Sequence, residues 1–261
     1  MKIALMDSGI GLLPAAAAVR RLRPDADLVL SWDPDGMPWG PRTPDDITER
    51  ALAVAEAAAA HEPEVLIVAC NTASVHSLPE LRARFEPDLP IIGTVPAIKP
   101  AAAGGGHVAI WATPATTGSA YQRNLIEQFA AGVRVTEVPC PGLADAVHHA
   151  DESAINAAIA AAAARTPGDV TTVVQGCTNY ELVGERIRAA VQRPGRPPLI
   201  LHGSAGAVAA QALRRIGAEP APDAVADTTL TVLLSGREAT LPDTALSYDE
   251  GRFLQAVSPV R

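Results

Sequence analysis

Aromatic residues make up only 3% of the 261-residue chain, with three each of Trp, Tyr and Phe. A core with so few rings must be assembled from Ala, Val, Leu and Ile, and hydrophobic residues, at 48%, are numerous enough to exclude a disordered chain. Lysine is scarce as well: Lys2 and Lys99 are the only two. Pyridoxal phosphate chemistry needs a Schiff-base lysine. Lys2 opens an apolar run and Lys99 has no phosphate loop beside it, so cofactor-independent chemistry is favoured and no cofactor is expected. Positive charge is in deficit, with a net charge of −8 and a pI of about 5.2, which argues against nucleic acid or an anionic membrane as partner. No apolar run is long enough to cross a bilayer. Asp7 interrupts the first apolar residues before a signal-peptide core can form, so a cytoplasmic location is expected.

Cysteine is sparse too. Cys70, Cys140 and Cys177 form an odd set without C-x-x-C spacing, which disfavours a disulfide framework or a structural zinc site. Free thiols and no metal are expected. Cys140, followed directly by Pro141, reads as a small buried hydrophobe.

Two stretches stand out from this background. Val65-Leu66-Ile67-Val68-Ala69 is an apolar run that ends in Cys70-Asn71-Thr72-Ala73-Ser74. Val170 to Gln175 is its counterpart, ending in Gly176-Cys177-Thr178-Asn179-Tyr180. Each reads as a buried strand with a thiol at its C-terminal mouth, where open α/β sheets bind ligands.

The rest of the chain alternates strand and helix. Strands are expected at Lys2–Met6, Leu28–Trp32, Ile91–Val95, Val108–Thr113, Val133–Val138, Pro198–His202 and Thr229–Leu234. Helices are expected at Ala15–Leu22, from Thr43 or Asp45 to about His61, and over Ser77–Phe85, Thr117–Ala130, Glu152–Ala164, Glu181–Val191 and Ala205–Ile216. Pro96–Gly106 reads as a proline- and glycine-bearing crossing, and 239–261 has no clear pattern. The glycines of Asp7-Ser8-Gly9-Ile10-Gly11 match neither the dinucleotide nor the P-loop spacing. This alternation predicts an α/β fold with parallel sheets flanked by helices. Asp7 and Thr113 lie 106 positions apart, and Cys70 and Cys177 lie 107 apart, so the plan is duplicated. Two pseudo-symmetric halves would bring the thiols to opposite sides of one cleft.

Opposed thiols suit the inversion of an amino acid's α-carbon, which needs a base on one face and an acid on the other. With an ordinary thiol pKa of about 8.5, a thiolate and a thiol coexist near neutral pH after modest tuning.

The motifs Asp7-Ser8-Gly9, Pro38-Trp39-Gly40, Cys70-Asn71-Thr72-Ala73-Ser74, Ala112-Thr113 with Thr116, and Gly176-Cys177-Thr178 resemble those of the aspartate/glutamate racemase superfamily, most closely its glutamate racemases. The similarity runs from Lys2 to about Ile216. It implies two similar α/β domains, 1–96 with about 206–261 and 97–205, with the active site between them. It also implies proton transfer by Cys70 and Cys177 without a cofactor, with Asp7 assisting Cys70. Ser8, Trp39, Gly40, Asn71, Thr72, Thr113, Thr116, Thr178 and Asn179 would bind an amino-acid substrate. The family supplies D-glutamate for peptidoglycan and often forms homodimers.

The chain departs from the family in places. The family's Gly-Cys-Thr-His-Tyr-Pro is here Gly176-Cys177-Thr178-Asn179-Tyr180-Glu181. Where the family places a glutamate supporting that histidine, this chain has His148. Either His148 takes over the imidazole role, with Asn179 orienting it, or the Cys177 side serves another reaction. The family's usual Asp-Ser pair is replaced within Leu201-His202-Gly203-Ser204, and Leu12 stands where a glycine is common. The alternatives are a relative acting on another amino acid or dicarboxylate, and a non-catalytic binding or regulatory protein.

Overall fold

The computed structural model describes residues 1–225 and 228–256. Residues 257–261, the end of the expected first domain, lie outside that range. Ten strands run through the described residues: β1 (Lys2–Asp7), β2 (Asp27–Trp32), β3 (Val65–Val68), β4 (Ile91–Gly93), β5 (His107–Ala112), β6 (Arg134–Pro139), β7 (Val170–Gln175), β8 (Ile200–His202), β9 (Leu230–Leu234) and β10 (Arg237–Ala239). They form two sheets, in the orders β10-β9-β2-β1-β3-β4 and β6-β5-β7-β8. Every pairing is parallel except β9 with β10. The expected α/β class with parallel sheets and flanking helices is what the structure shows.

The chain divides into two compact units. One holds Met1–Val95 together with the described residues from Ala205 onward, and the other holds Pro96–Ser204. Both repeat one winding plan. In the first, the chain leaves β1 for β2 on one side, then returns to lay β3 on the other. In the second, β5 is followed by β6 on one side and β7 on the other. Each sheet therefore has a switch point, between β1 and β3 and between β5 and β7. The loops there diverge to opposite faces and leave a crevice beyond the strands' carboxyl ends.

The core of the first unit is built as its composition requires. Ile3, Leu5, Leu28, Leu30, Leu66 and Ile67 fill the sheet and are buried. Ala15, Ala16 and Ala17 of helix Leu13–Leu22 are buried, that helix packing on helix Ala205–Arg215, and Ala51, Ala55 and Ala58 pack on the sheet from helix Pro44–Ala59 without side chains that would hold it away. Thr43 caps the latter helix, accepting from Asp46 N, as the sequence leads one to expect.

Local differences from expectation occur where elements are short. The residues after Cys70 already form a helix, Asn71–His76, before Leu78–Phe85. The 96–106 crossing contains helix Ile98–Ala103. After Cys177 comes the four-residue turn Thr178–Glu181, with the longer helix starting only at Gly184. In the tail, β9 pairs with β2 and β10 folds back on it. Helices Asp243–Leu246 and Asp249–Ala256 follow, the latter packing on helix Leu13–Leu22 with the Arg21 guanidinium over the Phe253 ring at 5.1 Å. Among the described residues, no helix is long and apolar enough to cross a membrane.

Candidate active site

In the first unit, Asp7 is the last residue of β1 and Cys70 lies just beyond β3. Parallel register places Met6 beside Val68, and Ala69 N donates to the Met6 carbonyl at 2.8 Å. The next residues, Asp7 and Cys70, therefore emerge together at the switch point. Cys70 is extended (φ −134°, ψ 121°) and stands at the N-cap of helix Asn71–His76. Asn71 and Thr72 thus begin a helix at the sheet's rim, half-buried.

Burial shapes the chemistry of this pair. Asp7 is 3% exposed and Cys70 6%. Burial pushes the Asp7 carboxyl up to about 7, against the opposing effect of hydrogen bonds with Cys70, Ser8 and Gly9. Ser8 donates to Asp7 Oδ1 from its backbone N at 2.6 Å and from Oγ at 3.3 Å. Burial, and then the charge of Asp7, raise the Cys70 thiol well above its ordinary value. At rest Cys70 keeps its proton, and a neighbouring carboxyl that titrates near neutrality is placed to take it.

The Pro38-Trp39-Gly40 loop follows β2. Trp39, expected among the substrate-binding residues, is 1% exposed and belongs to the core; Gly40 is exposed beside it. The loop is organised by a residue that the sequence did not single out. Asp33, 5% exposed, accepts from Gly36 N at 3.1 Å, Trp39 Nε1 at 3.1 Å, Arg50 Nη1 at 3.2 Å and Ser235 Oγ at 2.9 Å. Burial pushes its carboxyl up, but the bonds from Trp39, Ser235 and Arg50 outweigh this and hold it below the usual range. The one available signal was an acidic residue directly after a strand.

The second unit repeats the arrangement. Ala112 ends β5, and Thr113 Oγ1 lies 3.1 Å from Thr116 Oγ1 in the following turn. Gly176 N donates to the Trp111 carbonyl at 2.8 Å. A Cβ at Gly176 would sit 2.8 Å from that carbonyl oxygen, so this close approach of backbones requires glycine. Cys177 then adopts nearly the backbone of Cys70 (φ −138°, ψ 135°), at the N-cap of Thr178–Glu181. It is more exposed than Cys70. Thr178 is buried.

Asn179 Nδ2 donates to the Ala144 carbonyl at 2.9 Å, inside helix Leu143–His148. Asn179 therefore engages the backbone of the helix that carries His148. The imidazole ends that helix half-buried, with Nδ1 buried and without a hydrogen-bond partner among the described residues. The His149 ring lies 5.0 Å away, edge-on. Burial, and then His149, push His148 down to about 4, which favours the neutral imidazole over the cation at physiological pH. Cys140 is buried, its thiol donating to the Val138 carbonyl at 3.4 Å; burial, and then the nearby Cys177, push it up to about 12.

The structure thus gathers Asp7, Ser8, Cys70, Asn71 and Thr72 at one switch point, and Thr113, Thr116, Cys177, Thr178 and Asn179 at the other. The two lysines lie elsewhere. Lys2 Nζ donates to the His61 carbonyl at 2.6 Å at the start of β1, and the Lys99 ammonium lies 5.9 Å from the centroid of the Phe129 ring.

A sequence model of the Asp/Glu/Hydantoin racemase family matches residues 14–226. The chain is 39% identical over 195 residues to a glutamate racemase of Roseiflexus sp. (strain RS-1), covering 72% of this chain and 70% of that protein. It is 34% identical over 219 residues to a glutamate racemase of Pseudomonas putida (strain W619), covering 82% and 80%. Among solved structures, Escherichia coli glutamate racemase in complex with L-glutamate and the activator UDP-MurNAc-ala superposes with a TM-score of 0.77 at 29% identity, over 98% of this chain and 95% of that one.

Proposed function

Because the chain belongs to the Asp/Glu/Hydantoin racemase family, we propose that it interconverts L- and D-glutamate without a cofactor, using Cys70 and Cys177 as the two proton-transfer groups. The observation that carries this reading is the repetition of one thiol arrangement. Each cysteine is extended, caps a short helix and stands beyond the strand at the switch point of its own sheet.

In one direction, the Asp7 carboxylate accepts the proton of the Cys70 thiol, and the Cys70 thiolate then removes the α-proton. Cys177 delivers its own proton to the opposite face, leaving a thiolate that solvent reprotonates; in the other direction the neutral His148 is the group that can accept the Cys177 proton. The other direction reverses these roles. The Asp7 carboxyl, at about 7, is matched to this exchange, since a base works best when its pKa lies near the operating pH. Ser8, Gly40, Asn71, Thr72, Thr113, Thr116 and Thr178 supply neutral donors and small side chains for the substrate's carboxylates and ammonium. Asn179 holds the His148 helix. The D-glutamate formed serves peptidoglycan synthesis in the cytoplasm.

The test is α-proton exchange in D₂O with L- or D-glutamate and no added cofactor, followed by NMR and optical rotation together. Concerted loss of the α-proton signal and of rotation is expected, with inversion abolished in Cys70→Ser and in Cys177→Ser. Absence of exchange from either enantiomer would reject glutamate as substrate. Full racemisation by a double-serine variant would reject the thiols.

A further inference from the structure

The turn Thr178–Glu181 behind Cys177 is four residues long, too short to be stable as an isolated helix. Its position is set from outside by three consecutive side chains. Asn179 reaches the Ala144 carbonyl at 2.9 Å. The Tyr180 hydroxyl donates to the Cys140 carbonyl, just past β6, at 3.4 Å. Glu181 Oε1 accepts from both Ser204 N at 2.7 Å and Ser204 Oγ at 2.9 Å, just past β8. A helix, the end of β6 and the end of β8 thus hold one turn.

The Glu181 contact is the charged one, and the neighbouring loop is shaped around it. A Cβ at Gly203 would lie 2.2 Å from Glu181 Oε2 and 2.4 Å from its Cδ. The carboxylate fills the space a side chain at 203 would need, so Glu181 and Gly203 depend on each other. Hydrogen bonds to an ionised acceptor are also stronger than those between neutral groups.

We infer that Glu181 is a positioning residue for proton transfer at Cys177. It ties the far end of the turn to Gly203-Ser204 and thereby fixes where the thiol at the near end points. It acts through the backbone, without touching substrate. The inference rests on the reading of Cys177 as one of the two proton-transfer thiols. Misplacing a reacting group by about 1 Å costs up to about 100-fold in rate, so a shifted turn should slow the reaction on one face of the α-carbon.

The experiment measures α-proton wash-out in D₂O separately from L- and D-glutamate, for the wild type, Glu181→Ala, Glu181→Gln, Ser204→Ala and Cys177→Ser. In Glu181→Ala, wash-out from the enantiomer served by Cys177 is expected to fall about 10- to 100-fold more than from the other, with kcat lowered and KM held. Glu181→Gln keeps an oxygen that accepts from Ser204 and should recover most of that loss. Ser204→Ala, which removes one of the two donors, should shift the same ratio by a smaller factor and keeps the test open if Glu181→Ala fails to fold. An unchanged ratio of the two wash-out rates, or equal loss from both enantiomers, overturns the inference while Cys177→Ser is inactive. Full racemisation by Cys177→Ser overturns the two-thiol reading itself, and this inference with it.

Discussion

Asp7→Asn should make the protein more stable at alkaline pH and less able to racemise. In the folded chain Asp7 is 3% exposed and titrates at about 7, against an ordinary value of 3.8. Below about pH 4 both the folded and unfolded chains hold the proton, so the group costs the fold nothing. Between about 4 and 7 the unfolded chain has released its proton while the folded chain keeps it. The folded state then binds more protons, and stability falls as pH rises. Above 7 both are ionised and the loss is complete. The shift is about three pH units, and at about 1.36 kcal/mol per unit the buried carboxylate withholds ~4 kcal/mol from the folded state.

Asparagine has nearly the same shape, can still accept from Ser8 N, and never ionises. Urea denaturation of the two proteins, followed by the fluorescence of Trp32 and Trp39 in the same unit, should give free energies within about 1 kcal/mol of each other at pH 4.5. By pH 8 the variant should lead by ~4 kcal/mol. Groups common to both proteins cancel in the difference, and Cys70, which titrates well above its ordinary range, stays protonated throughout. The same substitution should abolish the rise of kcat through pH 7. A difference in stability that does not change between pH 4.5 and 8 would refute the placement of Asp7 as a buried carboxyl titrating near neutrality.

Two further substitutions probe the frames around the thiols. Gly176→Ala would put a Cβ 2.8 Å from the Trp111 carbonyl oxygen; the end of β7 must shift, and a stability loss of about 1–3 kcal/mol is expected by chemical denaturation, with kcat lowered about tenfold. Trp39→Phe removes the donor to Asp33 Oδ2 at 3.1 Å and should cost about 1 kcal/mol; steady-state kinetics should show KM raised with kcat retained, and an unchanged KM would mean that the loop ending at Gly40 does not meet substrate.

Much of this was legible in the linear chain because apolar runs and their interruptions report strands directly. Val65–Val68 and Val170–Gln175 are buried runs that stop at small polar residues, so both thiols announced themselves at strand ends. Thr43 and Asp45 were both readable as the start of the next helix from their capping side chains, and the structure puts the cap at Thr43. What escaped was short. Helix Asn71–His76 buries Ala73 alone, leaving no apolar period to detect. The β10 residues Arg237–Ala239 are all exposed, so they show no alternation, and pairing with β9 makes them a strand.

The sequence by itself determined the alternation of strands and helices, the duplicated plan, and the two cysteines with their flanking polar residues, because these depend on side-chain type and near-neighbour order. The tertiary structure alone decided what those residues became. It laid β3 and β7 beside β1 and β5, and so created the two switch points. It brought Ser235 to Asp33 across 202 positions and Ser204 to Glu181 across 23. By burying Asp7 and His148 it moved one carboxyl up to about 7 and one imidazole down to about 4. A pKa is set by the surroundings that fold around a group, and those surroundings come from residues distant in the chain.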